Sequence, residues 1–359
     1  MMKRFALAFF LVVLIAILTY ILINSNQEVK ETTAPSHRQG VAIIMTGAAA
    51  RIPQEAALLE ELDRRGLLKD VVFISGVSSG ALNAVMLNGI LDKKINWTDY
   101  RKILYGITNK DIFEPYYHNF PLNTAPARKL YTRVVEGVLG YHTIGDLPVT
   151  TSISFVNIKR LSPKRSIYRM CSRKLNEESD TTLNLVDILM ASSAFPIVFP
   201  PAQIRNAKTI PDVEYVDGGV GEDQVPFRAL LEFEKKRGIG VEKVYIISRK
   251  GDSDIAISHE LKGMGIEDSE VLDQFNISYD YFLKNGIIKK IQSFSKEAPS
   301  MVPLTYVWIP DFKEDFPMFN FDNLKKQYEV TSRWAKKNNP VPLARFLQDN
   351  APKTSMPAK

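Results

Sequence analysis

The sequence predicts an α/β fold with a mostly parallel central sheet. Three observations carry this expectation. Short, almost wholly apolar runs, "GVAIIMTG" (Gly40 to Gly47) and "VVFIS" (71–75), suit strands buried on both faces. Helical patterns follow each of them. "IPQEAALLEELDRRG" has apolar residues at helical spacing, a proline near its start and Gly66 placed to end it. The order strand, helix, strand, tight turn, helix then implies parallel strands joined by right-handed crossovers.

Taken in order, the chain opens with "MMKRFALAFFLVVLIAILTYILIN". Residues 5–23 carry no charge and, as a helix, would span about 28 Å, close to the hydrocarbon core of a bilayer. No A-x-A cleavage pattern follows, so residues 1–24 are expected to be an uncleaved signal anchor, with a cleaved signal and a secreted body as the alternative. Lys3 and Arg4 precede the span and place the amino terminus in the cytoplasm, with the body on the outer side. Residues 25–39 are polar and read as a linker. The α/β pattern runs over 40–250. "VTTSISFVNI", "RSIYRMCS", "VEYVDGGVG" and "VEKVYIISR" read as strands, and "NLVDILMASSAF" and "VPFRALLEFEKKRG" as helices. Residues 251–348 are expected to be a mostly helical extension packed on this domain, with one further strand in "PLTYVWIP". Residues 349–359 read as a frayed tail.

Composition narrows the function classes. With 45% hydrophobic and 24% charged residues the chain fits a globular body. Its single cysteine, Cys171, excludes an intrachain disulfide and a cysteine-built metal site. The net charge of +6 includes Lys3 and Arg4, and the rest is spread out. That pattern suits a solvated surface, or mild attraction to anionic lipid. No zinc spacing, basic–aromatic array or arginine-rich block points to nucleic acid.

The chemistry is concentrated at two places. "GVSSG" (Gly76 to Gly80) matches G-x-S-x-G with Ser78 at its centre, after a strand and before a helix. A sharp turn there lifts a serine hydroxyl above the sheet. Gly76 and Gly80 permit the tight backbone. The plainer reading is a strand-to-helix turn with a serine cap, and Ser75 and Ser79 are read as turn and cap residues. A serine needs a base beside it. The four histidines are His37, His118, His142 and His259. Only His259 falls in the chain order of an α/β-hydrolase triad, and "AISHELKG" looks like an exposed helix start. "DGG" (Asp217 to Gly219) instead puts an aspartate at the end of an apolar strand. Desolvated, beside a well-stabilised oxyanion, Asp217 could act as the base, or it could be an aspartate in a tight turn.

Three ordered motifs, "TGAAARI", "GVSSG" and "DGG", together with "ASSAFPIVFPP" (Ala191 to Pro201), make the chain resemble the patatin-like phospholipases over roughly Gly40 to Lys250. The resemblance implies a three-layer α/β/α fold and a serine lipid acyl hydrolase acting on membrane lipid or another fatty-acyl ester. It implies a Ser–Asp dyad of Ser78 and Asp217 and needs no metal or cofactor. The backbone N–H groups of Gly47, Ala48 and Ala49 would form the oxyanion hole. Arg51, Gly76, Gly80, Gly218 and Gly219 would support the motifs, Arg51 by fixing the loop or by meeting a lipid headgroup. The chain departs from the family pattern in having Ala48 and Ala49 where glycines are expected, Ile52 at the last glycine, and Asp223, Gln224 and Pro226 after the DGG. The alternative is a catalytically silent lipid-binding or scaffold protein on the same fold.

Overall fold

The computed structural model describes residues 37–114, 120–157, 166–220, 222–252, 254–267 and 283–351. The expected anchor, residues 1–24, and most of the linker lie outside the described residues. Among the described residues no helix is long and apolar enough to cross a membrane.

The first crossover runs as expected. β1 (Val41–Met45) leads through a short 3-10 turn to α1 (Ile52–Arg64), then to β2 (Val71–Val77) and α2 (Ser79–Leu91). Pro53 sits in the first turn of α1, where its missing N–H costs nothing. Gly66, at φ +70°, lets the chain turn away after the last helical residues. Beyond α2 come α3 (Trp97–Tyr105), α4 (Asn109–Ile112) and α5 (Ala125–Tyr131), the last continued by a π-helical stretch over Thr132–Val138. Next are β3 (Thr150–Asn157), β4 (Ser166–Cys171), α6 (Leu185–Ser192), β5 (Ala202–Gln203) and β6 (Glu214–Asp217). The chain closes with α7 (Arg228–Arg237), β7 (Lys243–Ile247), α8 (Asp254–Gly263), α9 (Lys284–Glu297), β8 (Thr305–Trp308), α10 (Leu324–Lys337), β9 (Val341–Pro342) and α11 (Leu343–Asp349).

One sheet holds all of these strands in the order β5-β6-β3-β2-β1-β7-β8-β9, with β4 paired to β3. Its centre, β3-β2-β1-β7-β8, is parallel. The margins are antiparallel: β4 and β6 on β3, β5 on β6, and β9 on β8. Strand periodicity sorts the helices into two layers. Val41, Ile43 and Met45 face one way and pack with Leu58, Leu59 and Leu62 of α1 and with Ala335 of α10. Ala42 and Ile44 face the other way and pack with α7, α9 and α11 through Leu230, Phe294 and Leu343. The result is a three-layer α/β/α sandwich.

Residues 251–348 are therefore more than a helical extension. They supply β8 and β9 to the same sheet and α10 to the layer that covers α1, and Ser36–Lys359 form one compact unit. A short strand pairs with whatever edge lies beside it in space, and a boundary drawn from composition does not see that edge.

Candidate active site

Sheet register builds the site. Gly47 follows β1 and Ser78 follows its neighbour β2, so both lie at the carboxyl end of the parallel strands. Val77 pairs with Ser154 of β3, and Phe155 of β3 pairs with Asp217 of β6. Asp217 is thereby carried to Ser78 across one intervening strand, although 139 positions separate them (217 − 78).

Ser78 stands at φ 56°, ψ −131°, a conformation that non-glycine residues rarely hold, and its hydroxyl caps nothing in α2. Such strain costs on the order of 1–3 kcal/mol and persists where the surroundings over-determine it. They do so here. The Ser78 N–H donates to Ser192 Oγ at 3.0 Å, and Ser192 Oγ donates to the Ser154 carbonyl at 2.8 Å. Gly76 and Gly80 are both required. A Cβ at Gly76 would lie 2.4 Å from the Gly80 carbonyl oxygen, and one at Gly80 would lie 2.3 Å from that of Thr46. Gly47 lies against Ser78, since a Cβ there would come 3.0 Å from Ser78 Cβ.

Ser78 and Asp217 line one cavity, where Ser78 favours the ionised form of the carboxylate, and the Gly219 N–H donates to Asp217 Oδ1 at 2.7 Å. Burial pushes the Asp217 carboxyl up to about 7, against the lowering effect of nearby Ser78 and of the Gly219 N–H. Gly218 allows the approach, because a Cβ there would lie 2.5 Å from the Ser154 carbonyl oxygen. Ser78 and Asp217, the two residues of the expected dyad, thus line the same cavity. His259 is exposed on α8, and His37 and His142 are exposed elsewhere; His118 lies outside the described residues.

The loop after β1 corrects one expectation. The Ala48 N–H donates to Ser79 Oγ at 2.7 Å, so it is spent inside the protein and is not available to an oxyanion. Ser79 is accordingly not a cap, and Ser75 is no turn residue: it is buried within β2. The Ala50 N–H donates to the Met318 carbonyl at 2.7 Å. Among the described residues no protein acceptor is recorded for the N–H groups of Gly47, Ala49 and Ser79, and all three residues line the cavities that meet at Ser78. Ala49 adopts φ 46°, the region for which glycine is the usual choice. Arg51 does not reach solvent. It is 4% exposed, donates through Nε to the Phe316 carbonyl at 2.7 Å and pairs with Asp252, so it fixes the loop. Behind the loop, Thr46 donates to the buried Glu55, whose carboxyl burial pushes up to about 8.

The residues after the DGG now have a physical reason. Asp223 is 1% exposed, takes two parallel bonds of 2.7 Å from Arg169 on β4, and accepts from Ser154 Oγ at 2.9 Å. This bidentate pair pins the loop after Asp217 to β3 and β4. Sequence reading missed Ser192, Ser154 and Arg169. The "ASSAFP" segment was the one visible signal, and it did not say which serine would brace the turn.

Two cavities meet at Ser78. One, of about 760 Å³ and open to solvent, is walled by apolar groups including Ile52, Ala127, Leu130, Phe199 and Phe321. The other, of about 380 Å³, is lined by Asp217, Gly219, Gln224, Arg249 and Met318. Ser78, Ala49 and Phe195 belong to both.

A family model described as patatin-like phospholipase matches residues 43–231, more than half of the 359. The chain belongs to the patatin-like phospholipase family. The three-layer sandwich with its strand–Ser78–helix turn is thus a patatin-like fold. No curated protein sequence matches the chain. Similar solved structures include VipD from Legionella pneumophila, 12% identical over 84% of this chain and 67% of that one, at a TM-score of 0.35. ExoU, a type III effector of Pseudomonas aeruginosa, is 11% identical over 87% and 53%, at 0.36. Human GIVD cytosolic phospholipase A2 is 11% identical over 86% and 58%, at 0.38. The chain spans between about half and two-thirds of the length of these three structures.

Proposed function

We propose that this patatin-like protein is a serine lipid acyl hydrolase in which Ser78 and Asp217 form the catalytic dyad. The observation that carries the reading is the cavity that Ser78 and Asp217 share, which meets a larger apolar cleft at Ser78. The Ser78 oxygen attacks the ester carbonyl carbon while Asp217 takes the hydroxyl proton. Negative charge develops on the carbonyl oxygen, within reach of the N–H groups of Gly47, Ala49 and Ser79. The tetrahedral adduct collapses, the C–O bond breaks, and the alcohol leaves with the proton held by Asp217. Water then attacks the acyl-serine, Asp217 accepts its proton, and the fatty acid departs as Ser78 is reprotonated. The larger apolar cleft suits the acyl chain, and the smaller cavity, which holds Asp217, suits the alcohol and the water.

The uncharged run at 5–23 supports a further reading, a bilayer anchor that keeps the domain beside its substrate on the outer side of the membrane. The test of the chemistry is ester and phospholipid hydrolysis by the chain with Ser78→Ala, Asp217→Asn and His259→Ala. The first two are expected to lose at least about 1,000-fold in kcat/KM, as for other activated nucleophiles, and the third to keep its rate. Loss with His259→Ala would sink the dyad. No hydrolysis of any ester, with lipid binding intact, would favour the silent lipid-binding alternative.

A further inference from the structure

We propose that Glu260 of α8 is a positioning residue for the reaction: through the segment 316–321 it sets the backbone of Ala49 and so the direction of that residue's N–H. The inference rests on the hydrolase reading above and extends it to a part of the chain beyond the family match.

The loop 47–51 is held at alternate peptides. The Ala48 N–H is fixed on Ser79 and the Ala50 N–H on the Met318 carbonyl, with Ala49 between them. Gln327 Nε2 also donates to the Ala50 carbonyl at 2.9 Å, and Arg51 holds the Phe316 carbonyl. Ala49 at φ 46° is a strained alanine, and the left-handed region costs an L-residue roughly 1–2 kcal/mol. It stays there because both flanking peptides are tied. One of those ties is only as firm as residues 316–319. Glu260 fixes that segment: its two carboxylate oxygens accept the adjacent N–H groups of Met318, at 2.8 Å, and Phe319, at 2.7 Å. Met318 is thus clamped on both sides of its residue, its N–H by Glu260 and its carbonyl by Ala50. Bonds to an ionised acceptor are about twice as strong as neutral ones. The same segment forms walls of the site. Met318 lines the smaller cavity and Phe321 the larger one, and the Phe319 ring packs 5.4 Å from that of Phe195. Glu260 itself lines neither cavity, so its influence passes through the segment.

The test uses the full chain with Glu260→Gln, which keeps the size but turns an NH2 group toward one backbone N–H. Two quantities are read: kcat and KM on a soluble short-chain p-nitrophenyl ester, and hydrogen exchange at the Ala50 amide. A fall in kcat of about 10-fold or more is expected, short of the loss of a whole oxyanion donor. KM should stay within about 2-fold and the Ala50 amide should exchange faster, with the melting transition retained. Glu260→Asp keeps the charge one methylene further back and should fall between; it carries the same reading if Glu260→Gln does not fold. Unchanged kcat in an active background, or a loss that merely tracks the unfolded fraction, would overturn the proposal. If the wild-type chain hydrolyses no ester, the hydrolase reading fails separately, and Ala50 exchange alone decides: faster supports the brace, unchanged rejects it.

Discussion

At the scale of single residues, the site depends on two groups held away from their ordinary preferences. Asp217 is the first. Its carboxyl is pushed by burial up to about 7, so below that pH it carries a proton and cannot accept one from Ser78. The kcat/KM for ester hydrolysis should rise about tenfold per pH unit up to near 7 and level off above it. A profile flat from pH 5 to 9 would rule Asp217 out as the base. The same shift acts on stability with the opposite sign. The folded state binds this proton more tightly than the unfolded chain, so the contribution of Asp217 to stability is fully present below about pH 4 and is lost as pH rises to 7. Asp217→Asn should therefore be inactive yet more heat-resistant than the wild type at pH 8, with the difference closing near pH 4 in parallel melting curves. Ala49 is the second group. At φ 46° it pays a steric cost that glycine avoids, while glycine leaves a more flexible unfolded chain. Ala49→Gly is expected to keep activity and to leave stability equal or up to about 1 kcal/mol higher by urea titration. A large loss of activity would show that the alanine methyl packs against substrate or loop in a way its geometry does not suggest.

At the scale of elements, the site is a junction of β1, β2, β3 and β6 with α2, α5 and α6. The turn at Ser78 is fixed by two glycines from below and by Ser192 of α6 from the side. α5 contributes to the apolar wall, and Ala127 is its smallest cavity-lining residue. Ala127→Trp would fill space that the acyl chain needs. It should lower the rate on long-chain esters at least tenfold more than the rate on acetyl esters, with a melting temperature measured alongside because overpacking costs about 1–3 kcal/mol. Equal losses on both esters would place the acyl chain elsewhere.

At the scale of the whole molecule, the sheet does not stop where the hydrolase motifs stop. β8 pairs with β7, and Ile287, Ile291, Phe294, Met301, Val307 and Leu343 bury against the face built from β1, β7 and α7. At about 1.5–3 kcal/mol for each fully buried side chain, these six are worth roughly 9–18 kcal/mol, comparable with the whole net stability of a domain. A chain ended at residue 250 is expected to lose cooperative unfolding and expose apolar surface, as read by circular dichroism and dye binding. A soluble, cooperatively melting product would show that 40–250 is a domain by itself.

Part of this architecture is encoded in local chemistry along the chain. Apolar runs and glycine placement announced the strands around Ser78, because a doubly buried strand and a sharp turn leave a composition behind. Ser78 and Asp217 were legible because each sits at a motif whose glycines are needed within a few residues. Packing settles whatever depends on neighbours far along the chain. It turned the Ala48 N–H to Ser79, gave Arg51 to Asp252 and Phe316, tied Asp223 to Arg169, and set Phe316 and Met318 on the loop 47–51. Hydrogen bonds are made through space, and a buried donor takes whichever acceptor the packed sheet and helices bring to it. No spacing within a motif records that choice.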